Sequence, residues 1–335
     1  MKTIILDASK EENIDLCAIA IKTGQLVAVP TETVYGLAAN ALDLKAVSKI
    51  FEVKERQPDN PLIVHVASIS EVYPLVSEIP ETFEVLAKNF WPGALTLIMK
   101  KHDCIPGNVS AGLDTVAIRI PNHPATISLI RKSGCPLAAP SANLSGSPSP
   151  TKAIHVKDDI DSKIPYILDG GDCKVGVEST VLDISGALPK ILRPGGVTFD
   201  ELCKILGTVR LGSGAAPDSP KSPGMKYRHY APKVPLTAII GPPDKTAAYI
   251  KKKICDNTAA LMFDDFAFEH QNIILYGRSE DYAAQAANLF DALRAFDNMD
   301  VSSIYAQVPL ENGLGLAISN RIKKASSNSI IDLSK

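Results

Sequence analysis

Five short segments of this 335-residue chain gather side chains that can bind anions or polarise a reacting group. The first is Pro30-Thr31-Glu32-Thr33-Val34-Tyr35-Gly36-Leu37, with two hydroxyls, a carboxylate and a phenol after an apolar run. Such a mixture at a strand end suits a binding loop, and equally a polar turn closed by Gly36. The second runs from Lys54 to Pro61 and holds Lys54, Arg56 and Asn60. Pro58 and Pro61 favour an extended chain, which would put Lys54 and Arg56 on one face as a polyphosphate grip: a point charge beside a bidentate fork. A solvated basic turn is the alternative. His65 follows within an apolar run, where a histidine serves either as a satisfied core residue or as a ligand contact. The third segment, Thr115 to Pro121, alternates so that Thr115, Ala117 and Arg119 share a face. An arginine in an apolar strand needs an anionic partner, either an internal carboxylate or a bound one.

The fourth segment is Ala138-Ala139-Pro140-Ser141-Ala142-Asn143-Leu144-Ser145-Gly146. Its small residues let backbone N–H groups approach phosphate oxygens, or simply make a turn. The fifth pairs Gly176-Val177-Glu178-Ser179-Thr180 with Arg193-Pro194-Gly195-Gly196. H-E-x-x-H, a histidine cluster and G-x-S-x-G are all missing, and no covalent nucleophile stands out. Lys54, Arg56, Arg119 and Arg193 sit on separate segments, a pattern suited to chemistry between anions.

The elements that must position these residues can be read from periodicity and breakers. Ser9 and Glu12 form a capping-box pattern, and Gly24 supplies a stop for the helix they open. Strands are expected over 25–29, 62–66, 94–99, 115–121, 166–168, 179–184 and 190–192, with a helix over 44–53. Residues 207–232 are rich in Gly, Pro and Ser, as in a linker. Its last part, 222–232, also carries Lys226, Tyr227, Arg228, His229 and Tyr230, more chemistry than a spacer needs. Beyond it, strands over 236–240, 259–263, 273–276 and 303–307 alternate with helices over 245–255, 282–296 and 314–324, which describes a small open α/β sheet. The expected division is a catalytic domain over 1–207, a linker or lid over 208–232 and a C-terminal α/β domain over 233–335. G-x-G-x-x-G and Walker motifs are missing from the C-terminal part.

Composition narrows the class further. There are 35 Lys plus Arg against 37 Asp plus Glu, so no global positive field holds nucleic acid, although a local basic cleft is compatible with these numbers. The six cysteines include no C-x-x-C pair, which fits reduced thiols rather than zinc ligands. The N-terminal apolar run is too short for a signal-peptide core, and the expected location is cytoplasmic.

As a set and in this order, Pro30 to Leu37, the Lys54/Arg56 pair, Pro140 to Asn143 and Glu178 to Thr180 resemble the threonylcarbamoyl-AMP synthase family, whose catalytic unit is the YrdC-like domain. The 222–232 segment and the tail resemble its longer, two-domain branch. The resemblance implies an α/β fold: a YrdC-like twisted sheet around a basic cavity, plus a small Rossmann-like C-terminal domain. It implies condensation of L-threonine, bicarbonate and ATP, with Mg²⁺, to threonylcarbamoyl-AMP and pyrophosphate, and a product passed to a tRNA threonylcarbamoyl transferase complex. By the same resemblance, Thr33, His65, Arg119 and Ser179 would hold threonine. Arg56, Asn60, Thr115, Ser141, Asn143, Arg193 and Tyr230 would surround ATP, with Lys54 and Arg56 as the catalytic cations. The linker would fold back and bring Tyr230, with His229, near the nucleotide.

Two competing readings bear on partners. YrdC-like domains look able to accept double-stranded RNA, in which case the same cations would be weak phosphate contacts. Carbamoyl-adenylate enzymes of metal-centre maturation are similar in this domain, but carry zinc-finger segments that this chain lacks.

Overall fold

The structure is a computed structural model and describes residues 2–212 and 229–334. These fall into two compact units, one of residues 2–145, 150–174 and 178–212, the other of residues 146–149, 175–177 and 229–334.

The first unit is built on an eleven-stranded mixed sheet. In chain order its strands are β1 Ile4–Asp7, β2 Val27–Val29, β3 Gly36–Asn40, β4 Ile63–His65, β5 Leu95–Lys100, β6 Thr115–Arg119, β7 Leu137–Ala138, β8 Tyr166–Asp169, β9 Thr180–Asp183, β10 Lys190–Arg193 and β11 Arg210–Leu211. In space they run β1-β8-β2-β3-β7-β4-β6-β5-β9-β10-β11. The central pairs mix directions: β4 is parallel to β6, β6 antiparallel to β5, and β5 parallel to β9.

Period-two alternation divides these central strands between two faces. Val64, Leu97, Ile118 and Leu182 enter the large hydrophobic core, together with helix Leu44–Lys54 through Val47 and Ile50. On the opposite face Ile63, Ala117, Ile98 and Val181 form a small apolar floor. The residues flanking that floor are polar, and they make the candidate site.

The second unit is a five-stranded sheet in which every pairing is parallel. Its strands are β12 Leu236–Ile240, β13 Thr258–Met262, β14 Ile273–Leu275, β15 Ser303–Gln307 and β16 Ile330–Asp332, in the order β14-β13-β15-β12-β16. Helices Pro243–Lys253, Tyr282–Ala295 and Gly315–Ala325 supply the crossovers. Apart from β16, which was not expected, these agree with the expected elements to within about two residues at each end, the usual uncertainty of an element boundary.

Three local expectations are corrected. Helix Glu11–Lys22 has Lys10 at its N-cap with no side-chain cap, because the Ser9 hydroxyl donates to Asp7 Oδ1 at 2.7 Å. The chain at Lys54 is not extended: Lys54 is the last residue of its helix, and Glu55 turns left-handed at φ 53°. The strand expected over 62–66 is the three-residue β4. Among the described residues, no helix is long and apolar enough to cross a membrane. The expected linker at 208–232 lies mostly outside the described residues.

Candidate functional site

The polar row on the floor face begins at β4 and β6. His65 pairs in register with Arg119, so both side chains leave the sheet on the same side. Arg119 is buried; its Nη2 lies 2.7 Å from Glu32 Oε1, and its Nε donates to Gly93 O at 3.0 Å. The Arg119–Glu32 approach is close but poorly aligned for a hydrogen bond. Glu32 Oε2 also accepts from the Asn122 backbone N–H at 3.0 Å, which fixes the carboxylate. The anionic partner that an arginine in an apolar strand requires is therefore in part internal.

His65 is buried, and its Nδ1 lies 3.2 Å from Ile63 O. Burial, then the adjacent Arg119 charge, hold the imidazole far below its usual value, at about 3, against the opposing pull of the Ile63 and Leu137 carbonyls. The ring is neutral at any ordinary pH, so it offers one donor and one acceptor and no charge.

The row continues across β5 to β9 and β10. Ser179 Oγ and Thr96 Oγ1 are 2.8 Å apart, both buried. Arg193 donates from Nη2 to Ser179 O at 2.9 Å and to Ser179 Oγ at 3.2 Å. Gly195 makes this approach possible. A Cβ there would stand 2.3 Å from Glu178 O and 2.4 Å from Thr180 N, inside any real contact distance. Gly196 N–H donates to Glu178 O at 3.1 Å, which closes the turn.

A second cluster forms where the first, second and fourth segments meet. Lys54 is almost wholly buried, and its Nζ donates to Ser141 O at 2.6 Å and to Asn143 O. Leu37 N–H donates to Pro140 O and Ala142 N–H to Tyr35 O, stitching Pro30–Leu37 to Pro140–Asn143. Arg56 is directed elsewhere than Lys54, donating to Asn60 O at 3.2 Å and Pro61 O at 3.0 Å. The shared cationic face expected of the pair is replaced by a lysine clamped on one turn and an arginine closing the next. Asn60 is buried, and its side-chain oxygen has no hydrogen-bond partner among the described residues. Thr115 is buried at the start of β6.

Within Pro30–Leu37 the side chains divide. Thr31 Oγ1 donates to Val34 O at 2.7 Å, accepts from the Thr33 and Val34 N–H groups, and lies 2.9 Å from Thr33 Oγ1. Tyr35 is turned into the core, where its hydroxyl donates to Gly171 O at 2.8 Å and accepts from Gly170 N–H at 3.2 Å. Burial, then the neighbouring Asp169 carboxylate, push its ionisation far above the ordinary phenol range, so Tyr35 is a structural anchor. In the second unit the Tyr230 ring is buried, 5.4 Å from the Phe290 ring, with the Arg321 guanidinium 5.6 Å over its face and the His229 ring 5.6 Å away at a tilt of 40°. Ser222 to Arg228, the rest of the expected lid, lie outside the described residues.

Three residues of this geometry are not among those expected from sequence. Glu32 was visible in its motif, but only the fold shows that its carboxylate reaches Arg119. Thr96, a polar residue alternating within the apolar run 95–99, carried the same signal as Arg119. Gly195 stood out only as part of a Gly pair.

Comparison with known proteins defines the class. The family described as "Telomere recombination" matches residues 19–195, and "Threonylcarbamoyl-AMP synthase, C-terminal domain" matches residues 197–327. The chain is 45% identical to the threonylcarbamoyl-AMP synthase of Pyrococcus abyssi, over 98% of this chain and 99% of that protein. It is likewise 45% identical to that of Bacillus subtilis, over 97% and 96%. A crystal structure of P. abyssi Sua5 complexed with L-threonine superposes with a TM-score of 0.93 at 43% identity, covering 99% of this chain and 100% of that one. The fold and site thus define a two-domain α/β enzyme of the nucleotidyltransferase type. The chain belongs to the threonylcarbamoyl-AMP synthase family.

Proposed function

We propose that the polar row and the Lys54 cluster act together to make threonylcarbamoyl-AMP from L-threonine, bicarbonate and ATP. The observation that carries this reading is the line of buried polar side chains, His65, Arg119, Thr96, Ser179 and Arg193, on the face of the sheet opposite the main core.

In this reading Arg119, held by Glu32 and Gly93 O, binds the threonine carboxylate. Thr33, neutral His65 and Ser179 address the amine and hydroxyl. A neutral ring suits the task, since a cation there would repel the ammonium of the incoming amino acid. The deprotonated amine adds to bicarbonate, losing water, to give a carbamate. A carbamate oxygen then attacks the α-phosphorus of ATP, and the bond to pyrophosphate breaks. No protein nucleophile is needed; positioning and charge neutralisation suffice. Lys54 and Arg56, with Arg193, offset the repulsion between carbamate and triphosphate.

Ser141, Asn143 and Thr115 line the nucleotide side. Asn60 offers its buried amide oxygen to a donor on ATP, which would relieve the roughly 1–3 kcal/mol that an unsatisfied buried acceptor costs. Mg²⁺ enters with ATP as the counterion of its phosphates, in keeping with that ion's habit of binding through substrate phosphates and few carboxylates. The 222–232 segment, which carries His229 and Tyr230, serves in this reading as a lid that keeps water from the labile carbamate. The product goes to a tRNA threonylcarbamoyl transferase complex.

Kinetics of Arg119→Lys tests the threonine assignment. A rise in the threonine KM of ten-fold or more, with the ATP KM little changed, is the expected result. A rise confined to the ATP KM would reverse the assignment.

A further inference from the structure

The second unit holds a cavity that the proposed reaction does not use. It measures about 410 Å³ and lies beyond the C-terminal ends of the parallel strands. In open parallel sheets, ligands bind outside the strand C-termini, where neighbouring strands send their connections in opposite directions.

β12 and β15 make such a pair. They are adjacent and parallel. The crossover from β12 passes β15 to reach β13, whereas the crossover from β15 passes β12 to reach β16. Right-handed crossovers in opposite directions put the two helices on opposite faces. The packing agrees: helix Pro243–Lys253 lies on β15, whereas helix Gly315–Ala325 packs with β12 and helix Tyr282–Ala295. The strand ends part between them, and the cavity sits there.

The cavity is a built feature. Gln307, the last residue of β15, is fully buried. It accepts from Phe263 N–H at 2.9 Å and donates to Pro243 O at 3.0 Å and Thr246 Oγ1 at 2.8 Å, tying the end of β15 to the end of β13 and to the first turn of helix Pro243–Lys253. Behind Phe263, Tyr276 stacks with rings 5.4 Å apart and donates its hydroxyl to Gln307 O at 2.8 Å. Gly315 brings the remaining wall in, since a Cβ there would meet Leu310 O at 2.1 Å.

The lining indicates the ligand. Phe263, Tyr282, Val308 and Leu310 give flat and apolar surfaces. Glu280 and Asn312 supply acceptors for hydrogen-bond donors, and among the described residues Glu280 is the one formally charged residue of the lining. The volume falls within the ~300–1,000 Å³ range of small-molecule sites. With a carboxylate and no cation among the described residues, the lining opposes phosphates.

We infer that this cavity, at the switch point between β12 and β15, is a second small-molecule site whose ligand is a phosphate-free nucleoside: a planar heterocycle whose exocyclic donors meet Glu280 and Asn312. The inference does not depend on the assignment of the catalytic residues.

The test is methyl NMR of the full chain titrated with adenosine, read at Val308 and Leu310. Saturable shifts at both are expected. AMP should act at least ten-fold more weakly there, and Glu280→Gln should weaken adenosine by a similar factor while pyrophosphate release stays unchanged. Glu280 is exposed, so the substitution does not threaten folding. Unmoved Val308 and Leu310 signals at millimolar adenosine would overturn the inference. So would an equal response to AMP, or an E280Q protein that responds like the parent.

Discussion

His65 gives the sharpest quantitative handle on the site. Its imidazole is held at about 3, whereas an unfolded histidine titrates near 6.5. As pH falls below 6.5, the unfolded chain takes up a proton that the folded chain refuses. Stability is therefore fully present above pH 6.5 and is lost on acidification, down to the folded value near 3. Each pH unit in that window corresponds to about 1.4 kcal/mol from this one group. Between pH 6.5 and 4.5 the loss is about 2 kcal/mol, because the unfolded histidine is already half protonated at 6.5; that is a large share of the ~5–15 kcal/mol typical of a domain. His65→Gln keeps a neutral donor and acceptor but cannot titrate. It lowers stability at pH 7 by some fixed amount, yet its stability should fall less steeply with acid than the parent's. Carboxylates and His123, itself held below its usual value by burial, contribute equally to both proteins and cancel. The assay is urea unfolding at half-unit steps from pH 7 to 4.5, followed by fluorescence. The single tryptophan, Trp91, is buried in the first unit and reports that unit alone. Parallel pH profiles for parent and variant would show that His65 titrates normally in the folded state. The neutral-imidazole account of the row would then fail.

Other expectations follow from the same geometry. Glu32→Gln removes the carboxylate 2.7 Å from Arg119 Nη2 and leaves a buried guanidinium poorly compensated. It should cost about 3 kcal/mol in urea unfolding and raise the threonine KM; unchanged values for both would sink the clamp. Gly195→Ala forces a methyl against the Glu178 and Thr180 backbone. Overpacking of about 1–3 kcal/mol should appear in Trp91-monitored unfolding, together with lost activity, and a fully active, equally stable variant would contradict the tight approach. 2-Aminobutyrate, which lacks the threonine hydroxyl, should be turned over roughly 10⁴-fold less efficiently in kcat/KM, with serine rejected far less; equal use of 2-aminobutyrate and threonine would refute hydroxyl recognition.

Much of this arrangement was legible in the residues. Arg119 in an apolar strand announced a buried charge with an anionic partner, and Glu32 supplies one. Alternation in Thr115–Arg119 correctly set Arg119 and Ala117 on one face, because the strand is long enough to impose its period. Four of the five C-terminal strands and the three helices were plain because each is a complete, well-bounded apolar pattern; β16 was not, since Ile330–Asp332 is a strand only through its pairing with β12. What escaped depended on tertiary pairing. β3, the all-buried Gly36–Asn40, and the two-residue β7 form strands because Ala39 and Ala138 pair with each other, an event no local pattern encodes. The Lys54/Arg56 pair misled for a similar reason. Two prolines downstream favoured extension, but helix Leu44–Lys54 continues to Lys54 and its ammonium finds carbonyls about ninety residues away in sequence. Ser9 and Glu12 matched a cap by spacing, yet Asp7 captured the serine first.

The most direct test of the central claim is pyrophosphate release from Mg–ATP by the purified full-length protein, with threonine and bicarbonate each present or omitted, and mass analysis of the nucleotide formed. The account predicts release only when both are present, and a product with the mass of threonylcarbamoyl-adenylate. Release that ignores threonine, or no release beside a competent control enzyme in the same buffer, would contradict it.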